Sequence, residues 1–216
     1  MNKTDDQDEL RSKVLGSFDL EGSIPGRRRT RAGRGAFFGM VAALLLATTV
    51  GVGSQTRSLA PFVGTPPDVI ERMLTLAKIT SRDVVYDLGS GDGRVVILAA
   101  QKFGARGVGI DIDPVLIARA EAAAKTAGVS SLVTFRRQDA MTVDASEATI
   151  VTLYLLAASN ARLRPILTAK LAPGARIVSH NYPLGGDWEP SSIDNFTDAA
   201  GTMRTLYLWI ADGQVH

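Results

Sequence analysis

Three glycines alternate with small polar residues in the stretch DLGSGDG, residues 87–93. Each glycine costs about 0.5–1 kcal/mol in a regular element, so a cluster indicates backbone that turns tightly or lets a ligand come close. The apolar run VVY precedes the loop, and a helix-like stretch, RVVILAAQKF, follows it. A strand, a glycine loop and a helix N-terminus together expose N–H groups beside a positive dipole, which predicts a nucleotide-like ligand.

The spacing of these glycines favours S-adenosylmethionine over a dinucleotide. Gly89, Gly91 and Gly93 give G-x-G-x-G, whereas the dinucleotide fingerprint G-x-G-x-x-G needs its third glycine where this chain has Arg94. S-adenosylmethionine carries a sulfonium, and a carboxylate beside the loop can interact with its cationic end. Asp87 ends the first predicted strand at that place. The predicted cofactor contacts in the loop are Asp87, Gly89, Ser90, Gly91 and Gly93.

Acidic residues also follow the next two predicted strands. GIDID puts Asp111 where a carboxylate can accept hydrogen bonds from both ribose hydroxyls, and RRQDA puts Asp139 where one can accept from the adenine amino group. The adjacent Ile112 and Ala140 complete the predicted cofactor site. An isolated aspartate at a strand end is often only a helix cap, so the prediction depends on the joint pattern.

Strands and helices alternate from residue 61 onwards. The predicted strands are DVVYDLG, RGVGIDID, LVTFRRQD, ATIVTLYLL and ARIVSHNY, with helices before, between and after them. The last two strand-like runs, SSIDNFTD and RTLYLWIAD, are joined by about six residues, too few for a helical crossover, so they should pair antiparallel. The predicted fold is α/β: five βα units in a doubly wound, Rossmann-like seven-stranded sheet, with a terminal antiparallel hairpin and a preceding N-terminal apolar helix.

The chain before this domain divides into two parts. Residues 1–34 are a polar leader that ends in RRRTRAGR and is predicted to be disordered, and residues 35–56 carry no charge. About 20 apolar residues span a hydrocarbon core, so residues 35–56 are predicted to be a transmembrane segment or signal anchor; a cleaved targeting peptide and a buried helix are the alternatives. We expect residues 57–216 to be anchored to a bacterial inner membrane, or to the mitochondrial inner membrane in a eukaryote. The arginine cluster alone would place them across the membrane, so the topology stays open.

Composition excludes several kinds of site. The chain has no cysteine and two histidines, which rules out disulfides and cysteine nucleophiles and argues against a metal site. The net charge is +2, but residues 57–216 hold sixteen basic and sixteen acidic residues. A neutral domain argues against a broad nucleic-acid-binding surface, and no nucleic-acid partner is expected.

The stretches VVYDLGSGDGR and GVGIDIDP resemble the class I, seven-β-strand methyltransferases, over residues 61–216. PFVGTPPDVIERML, VVTLYLL and LRPILTAKLAPGARIVSH resemble a smaller family of membrane-associated protein lysine methyltransferases, whose eukaryotic members modify the ATP synthase c ring protein and the adenine nucleotide translocase. The resemblance implies a lysine of a protein, such as a membrane protein, as methyl acceptor. The chain departs from that family at Gly64, where proline is usual, and at residues 157–159, where AAS replaces a Pro-Glu or similar pair.

Methyl transfer needs alignment of a nucleophile more than a strong catalytic group. The acceptor should lie over the ends of the fourth and fifth strands, which offer Tyr154, His180, Asn181 and Tyr182. We predict catalytic contacts from Tyr154, Asn181 and Tyr182. Alternatively, Tyr154 is a packed strand residue and His180 a structural hydrogen-bonding one. The [N/D]-P-P-[Y/F] tetrad that often holds an amine in this class is missing.

Two other functions stay open. The chain could methylate a small molecule or a lipid, or it could be a non-catalytic cofactor-binding module that uses the fold as a scaffold. An NAD-dependent reductase fits least, because the third glycine is misplaced.

Overall fold

The computed structural model describes residues 59–216, so the predictions for residues 1–34 and 35–56 lie outside the described residues. The strands are β1 (Val84–Leu88), β2 (Arg106–Asp111), β3 (Val133–Arg137), β4 (Ile150–Leu153), β5 (Arg176–His180), β6 (Ser192–Thr197) and β7 (Met203–Ile210). The helices are α1 (Pro67–Leu76), α2 (Arg94–Phe103), α3 (Pro114–Thr126) and α4 (Ala157–Thr168). Within residues 59–216, none of the helices combines the length and the hydrophobicity that a membrane span requires.

The strands form one seven-stranded sheet in the order β3-β2-β1-β4-β5-β7-β6. Strands β1 to β5 are parallel to their neighbours, and β7 runs antiparallel to both β5 and β6. The predicted α/β sheet with a terminal antiparallel hairpin is therefore confirmed. The order places the carboxyl ends of β1, β2 and β4 side by side, where ligands bind in such sheets.

Two connections differ from the prediction of five βα units, which is wrong for both. No helix lies between β5 and β6. Between β3 and β4 there is only a single 3₁₀ turn, Ala140–Thr142. The rest of this connection is irregular and buries Val143, Ala145 and Ala148 against the sheet. This segment therefore covers the sheet face that a helix would otherwise cover.

The core has two halves, one on each face of the sheet. Side chains of a strand alternate between faces, so Val85 packs with α1 and α2 while its neighbour Tyr86 packs with α4. Tyr207 and Trp209 share the second face, as their spacing predicts, and their rings are 5.8 Å apart. Trp209 is fully buried and donates its indole N–H to the carbonyl of Trp188, so both tryptophans serve packing.

A buried carboxylate joins three strands at the edge opposite the glycine loop. Asp83, just before β1, accepts hydrogen bonds from Thr149 Oγ1 at 2.8 Å and from Arg176 Nη2 at 2.7 Å. The backbone N–H of Thr80 donates to its other oxygen at 2.7 Å. Burial raises the pKa of Asp83, but these hydrogen bonds outweigh burial and hold the pKa below its usual value. The ionised carboxylate therefore stabilises the fold.

We expect Asp83→Asn to lower the free energy of unfolding by about 1–3 kcal/mol, because it breaks a buried charged network. A lowered pKa in the folded state gives stability that is present above about pH 4 and lost as the pH falls through the folded pKa. The difference in the free energy of unfolding between Asp83→Asn and wild type should therefore be smaller at acidic pH. Urea unfolding of both proteins at pH 7 and pH 3 measures this difference. Glu71→Gln breaks the exposed pair with Lys102 and should change the free energy of unfolding by less than about 0.5 kcal/mol.

Candidate active site

A cavity of about 300 Å³ opens at the carboxyl edge of the sheet. Its walls come from the loops after β1, β2, β3 and β4 and from residues 59–65, which precede α1. Seven of the nine predicted cofactor residues line it: Asp87, Gly89, Ser90, Asp111, Ile112, Asp139 and Ala140. Gly91 and Gly93 are not among the lining residues. The volume is in the range of small-ligand sites.

Gly89 and Gly93 meet different steric demands. Both have positive φ, 82° and 79°, which disfavours any other residue. A Cβ on Gly89 would lie 2.8 Å from Leu155, a residue of the cavity wall. A Cβ on Gly93 would lie 2.5 Å from the ring of Phe135, away from the cavity. Gly89 thus keeps the cavity open, and Gly93 allows α2 to pack closely on the sheet.

The carboxylate of Asp111 joins the glycine loop to the turn before α3. Its Oδ2 accepts from the N–H of Gly91 at 2.8 Å, and its Oδ1 accepts from the N–H of Asp113 at 2.9 Å. Each carboxylate oxygen has a second lone pair, so both can still accept a ribose hydroxyl. The backbone therefore fixes this carboxylate at the cavity wall and leaves it able to accept the predicted ribose contact.

Asp139 has both roles that the sequence leaves open, because it is a cap residue and also part of the cavity wall. Its Oδ1 accepts from the N–H of Met141 at 2.9 Å, so it caps the 3₁₀ turn. It also lines the cavity beside Gln138 and Ala140. The cap holds the side chain at the cavity wall, and contact with the adenine amino group stays a prediction.

Asp87 is a buried carboxyl group with one neutral hydrogen-bond donor. Burial raises its pKa to about 7, the hydrogen bond from Thr152 opposes this, and the negative charges of Asp111 and Asp92 add to it. Thr152 Oγ1 lies 2.7 Å from Asp87 Oδ1. A buried carboxylate without a cationic partner fits a positively charged ligand. Sequence reasoning missed Thr152. The feature that could have revealed it is that Thr152 is the one polar residue in the apolar strand IVTL.

The backbone of the glycine loop and the acids at the strand ends suit a polar ligand, whereas the Ser90 hydroxyl does not contribute. Ser90 Oγ is buried beside Gly109 and has no hydrogen-bond partner among residues 59–216. The bare backbone at Gly89 and the acids at three strand ends therefore carry the fit to S-adenosylmethionine.

Residues 59–65, which we call the strap, are tied to the glycine loop by an arginine that sequence reasoning missed. Arg94 donates from Nη1 to the carbonyl of Thr65 at 3.1 Å and from Nε and Nη2 to Asp92 at 2.8 and 2.6 Å. A Cβ on Gly64 would lie 2.2 Å from Arg94 Nη1. The departure from proline at residue 64 therefore makes room for the guanidinium. Asp92 and Arg94 both belong to the glycine motif, but only its glycines and Asp87 suggested contacts.

The departure at residues 157–159 has a similar explanation. Ser159 Oγ donates to the carbonyl of Leu59 at 2.6 Å, which joins α4 to the start of the strap. The ring of Phe62 in the strap lies where a Cβ on Gly91 would be, at 2.3 Å. The strap thus contacts both α4 and the glycine loop across the cavity.

Tyr154 lies between the cavity and a buried histidine. It follows the last residue of β4 and lines the cavity. Its ring stacks on His180 with centroids 3.9 Å apart and planes at 29°. His180 is fully buried, and neither ring nitrogen has a hydrogen-bond partner in the part of the chain that the structure describes. Burial and the nearby Arg204 lower its pKa to about 4, and Asp198 partly offsets them, so His180 is neutral at physiological pH.

Asn181 and Tyr182 are placed differently from Tyr154. The backbone N–H of Asn181 donates to the carbonyl of Thr205 at 2.7 Å, and its Oδ1 accepts from the Thr205 N–H at 3.1 Å, which joins β5 to β7. Tyr182 is 37% exposed, and its carbonyl accepts from Asn160 Nδ2 and Ser179 Oγ. Neither Asn181 nor Tyr182 is among the residues lining the cavity. Their contact with an acceptor stays a prediction.

No metal chemistry is indicated in the described range. Among residues 59–216, no group of histidine, aspartate and glutamate side chains could hold a metal ion. The cavity can bind a cationic nucleoside at the acidic ends of β1, β2 and β3. It then presents that ligand towards the neutral aromatic wall after β4.

We expect Asp111→Ala to weaken S-adenosylmethionine binding about 30-fold or more, because it removes a carboxylate with two predicted ribose contacts and releases the glycine loop. Isothermal titration calorimetry on the full-length protein measures the dissociation constant. Asp144→Asn, at an exposed turn, is the matched control and should bind like wild type. An unchanged affinity in Asp111→Ala would remove the ribose contact from the assignment.

We expect the affinity for S-adenosylmethionine to rise as the pH increases from 6 to 8. The pKa of Asp87 is about 7, and the cationic ligand favours its ionised form, so binding near pH 7 should release a proton. Calorimetry in buffers of different ionisation enthalpy counts that proton. The variant Asp87→Asn shows how much of the pH dependence comes from ionisable groups of the ligand itself. It should bind S-adenosylmethionine more weakly than wild type at pH 8, and its affinity should depend less on pH. Equal pH dependence in both proteins would contradict the prediction.

Comparisons with known proteins identify the family of this chain. The family model of the ANTKMT methyltransferase domain matches residues 87–192. A protein-lysine N-methyltransferase of Saccharolobus islandicus (strain REY15A) is 41% identical over 152 residues, which are 69% of this chain and 92% of that protein. The adenine nucleotide translocase lysine N-methyltransferase of Mus musculus is 33% identical over 186 residues, 86% of this chain and 76% of that protein.

Among solved structures, a crystal structure described as an RNA methyltransferase from Salinibacter ruber in complex with S-adenosyl-L-homocysteine is 50% identical. It has a TM-score of 0.66 and covers 71% of this chain and 97% of that one. S-adenosylhomocysteine is what S-adenosylmethionine becomes when it loses its methyl group. With these relatives and this cavity, the chain belongs to the family of class I methyltransferases defined by the ANTKMT methyltransferase domain, and S-adenosylmethionine is its cofactor.

Proposed function

We propose that the protein transfers a methyl group from S-adenosylmethionine to the ε-amino group of a lysine in a protein. The observation that carries this is the wall after β4, where Tyr154 and Leu155 line the cavity in front of the neutral His180. A lysine has a long aliphatic stem and must react as a neutral amine, so an uncharged aromatic and aliphatic wall suits it. The relatives named as lysine methyltransferases support the same acceptor.

The bound cofactor supplies an electrophilic methyl group on a sulfonium. In the proposed reaction, Asp87 and Asp111 hold its cationic and ribose parts, and Tyr154 orients the incoming amine. The lone pair of the lysine nitrogen forms the new N–C bond in line with the breaking C–S bond, whose electrons pass to sulfur. The strap and the wall after β4 exclude water from the reacting atoms.

The lysine must lose its proton before transfer. The positive charges of the sulfonium and of the Arg204 guanidinium disfavour a further positive charge on the lysine nitrogen. Asp87, the buried carboxyl group, lies on the cofactor side below the glycine loop. We therefore propose that the proton goes to bulk water before the amine enters, without a general base.

RNA is a second candidate acceptor, because the 50% identical structure carries that description. One feature of this chain favours a protein instead. Residues 57–216 are neutral overall, with sixteen basic and sixteen acidic residues, whereas RNA-binding surfaces are usually basic.

We further propose that the enzyme acts at a membrane, with residues 35–56 as the anchor, in the bacterial inner membrane or in the mitochondrial inner membrane of a eukaryote. This stretch carries no charge and ends three residues before the strap. A relative from Xenopus laevis, named as a lysine N-methyltransferase of the ATP synthase c ring protein, is 27% identical over 91% of this chain. Extraction of the full-length protein by detergent but not by alkaline carbonate would support the anchor.

The acceptor can be identified by incubating the full-length protein with S-adenosylmethionine carrying a tritiated methyl group and with membrane extracts. We expect label in protein bands that yield methyllysine after acid hydrolysis, and no label with Asp111→Ala. Label that ribonuclease removes would show an RNA acceptor, and label in the organic phase a lipid. Cofactor binding without transfer to any fraction would indicate a non-catalytic module.

With saturating cofactor, we expect kcat/KM for the lysine acceptor to rise with unit slope from about pH 7.5 towards pH 10, the usual pKa of lysine. The reason is that only the neutral amine enters and no enzyme group takes its proton. Initial rates across this range on the labelled acceptor measure the profile. A plateau that begins near pH 8 would instead reveal a general base.

A further inference from the structure

The hairpin of β6 and β7 brings a buried ion pair to the acceptor side of the cavity. Arg204 Nε donates to Asp198 Oδ2 at 2.8 Å, and their side chains are 17% and 0% exposed. Asp198 Oδ1 also accepts from the N–H groups of Ala200 and Thr202, at 3.0 and 2.8 Å. These hydrogen bonds hold the pKa of Asp198 below its usual value, so its carboxylate is ionised. The hairpin turn thus holds the guanidinium of Arg204 in place through the carboxylate of Asp198.

Sheet register places this guanidinium in line with the cavity. Asp87 pairs with Thr152 across β1 and β4, and His180 pairs with Leu206 across β5 and β7. Because side chains alternate, Arg204, two residues before Leu206, lies on the same face as His180. The face that carries Asp87 and Thr152 therefore also carries His180 and, further towards the hairpin turn, Arg204.

Tyr154 interacts with both His180 and Arg204. His180 stacks on its ring, and the guanidinium of Arg204 interacts electrostatically with its phenol group. The hydrogen bond to Asp198, the negative charge of Asp198 and the interaction with Tyr154 raise the pKa of Arg204 against the effect of burial, so Arg204 stays charged. The tyrosine ring is therefore packed on a neutral imidazole beside a fixed positive charge.

We propose that Arg204, fixed by Asp198, is a positioning residue for methyl transfer that acts through Tyr154. A phenol oxygen has two lone pairs, so it can accept from Arg204 and from an N–H of the substrate amine together. The second hydrogen bond would turn the nitrogen lone pair towards the methyl group. The fixed positive charge also disfavours a protonated amine at this position. The inference rests on the proposed amine acceptor.

The same hairpin offers a matched control. Arg72 of α1 pairs with Asp194 of β6 at 2.6 Å and lies over the ring of Phe196 at 4.4 Å. This pair attaches the hairpin to α1, and Arg72 is half exposed. Neither arginine lines the cavity, but of the two only Arg204 interacts electrostatically with Tyr154. A purely structural role of Arg204 would make both pairs behave alike.

The first experiment is a double-mutant cycle on the full-length protein at saturating cofactor. The probe is transfer of tritiated methyl groups into membrane extracts. We expect Arg204→Gln to lower the rate about 10- to 100-fold, as loss of an orienting contact does, with cofactor affinity unchanged within about twofold. Tyr154→Phe should cost as much, and the double variant no more than either alone. Arg72→Gln should keep the wild-type rate.

Additive losses in the double variant, or an equal loss in Arg72→Gln, would overturn the proposal. Thermal unfolding shows whether a variant is folded at the assay temperature. If Arg204→Gln is not, Asp198→Asn is used in the same cycle, because it releases the guanidinium and keeps the shape of the turn residue.

The second experiment needs no acceptor. The chain has four tyrosines, so a protein with ¹³C at tyrosine Cζ gives four resonances, and Tyr154→Phe identifies one of them. We expect Arg204→Gln to move the Tyr154 resonance in the cofactor-bound protein and Arg72→Gln to leave it in place. An unmoved resonance would overturn the contact. Label found only in RNA would overturn the lysine acceptor and leave this result standing, so the two failures are distinguishable.

Discussion

The carboxylate of Asp111 is the interaction on which the cofactor site depends. A loop with glycines at every second position has little reason to keep one conformation, because glycine has the greatest backbone freedom to lose. Asp111 restricts it by accepting from Gly91 on one oxygen and from Asp113 on the other. Such charge-assisted hydrogen bonds contribute about 1.5–3 kcal/mol each. The same side chain that would hold the ribose therefore also orders the loop that surrounds the rest of the ligand.

Charge is divided between the two sides of the cavity in a way that suits the chemistry. The cofactor side has Asp87, whose pKa of about 7 lets a cationic ligand ionise it on binding. Behind the wall after β4 are His180, which its low pKa keeps neutral, and Arg204, which stays charged. A cation is thus favoured at the predicted cofactor position and disfavoured beside Tyr154, where the proposed amine would bind. The division follows strand order, because β1 and β2 supply the acids while β5 and β7 supply the other groups.

The strap, residues 59–65, links this chemistry to the part of the chain that precedes the described residues. Arg94 binds the carbonyl of Thr65, and Ser159 binds that of Leu59, so both ends of the strap are fixed on the domain. Both departures from the family pattern, at residues 64 and 157–159, lie at these attachments. They change how the strap is held and leave the acids of the cofactor site as the family pattern has them.

The sequence by itself determined what depends on neighbours in the chain. Strand and helix periodicity, glycines that need positive φ and acids at strand ends are local properties, so the sheet, its terminal hairpin and seven cavity residues were predictable. The contacts of Arg94 with Thr65 and of Arg204 with Tyr154 join residues 29 and 50 positions apart, and no local pattern carries them. The tertiary structure decided them, because Arg204 comes near Tyr154 only when β7 lies between β5 and β6. The irregular connection after β3 was missed for the same reason, since burial against the sheet, and not helical spacing, fixes its path.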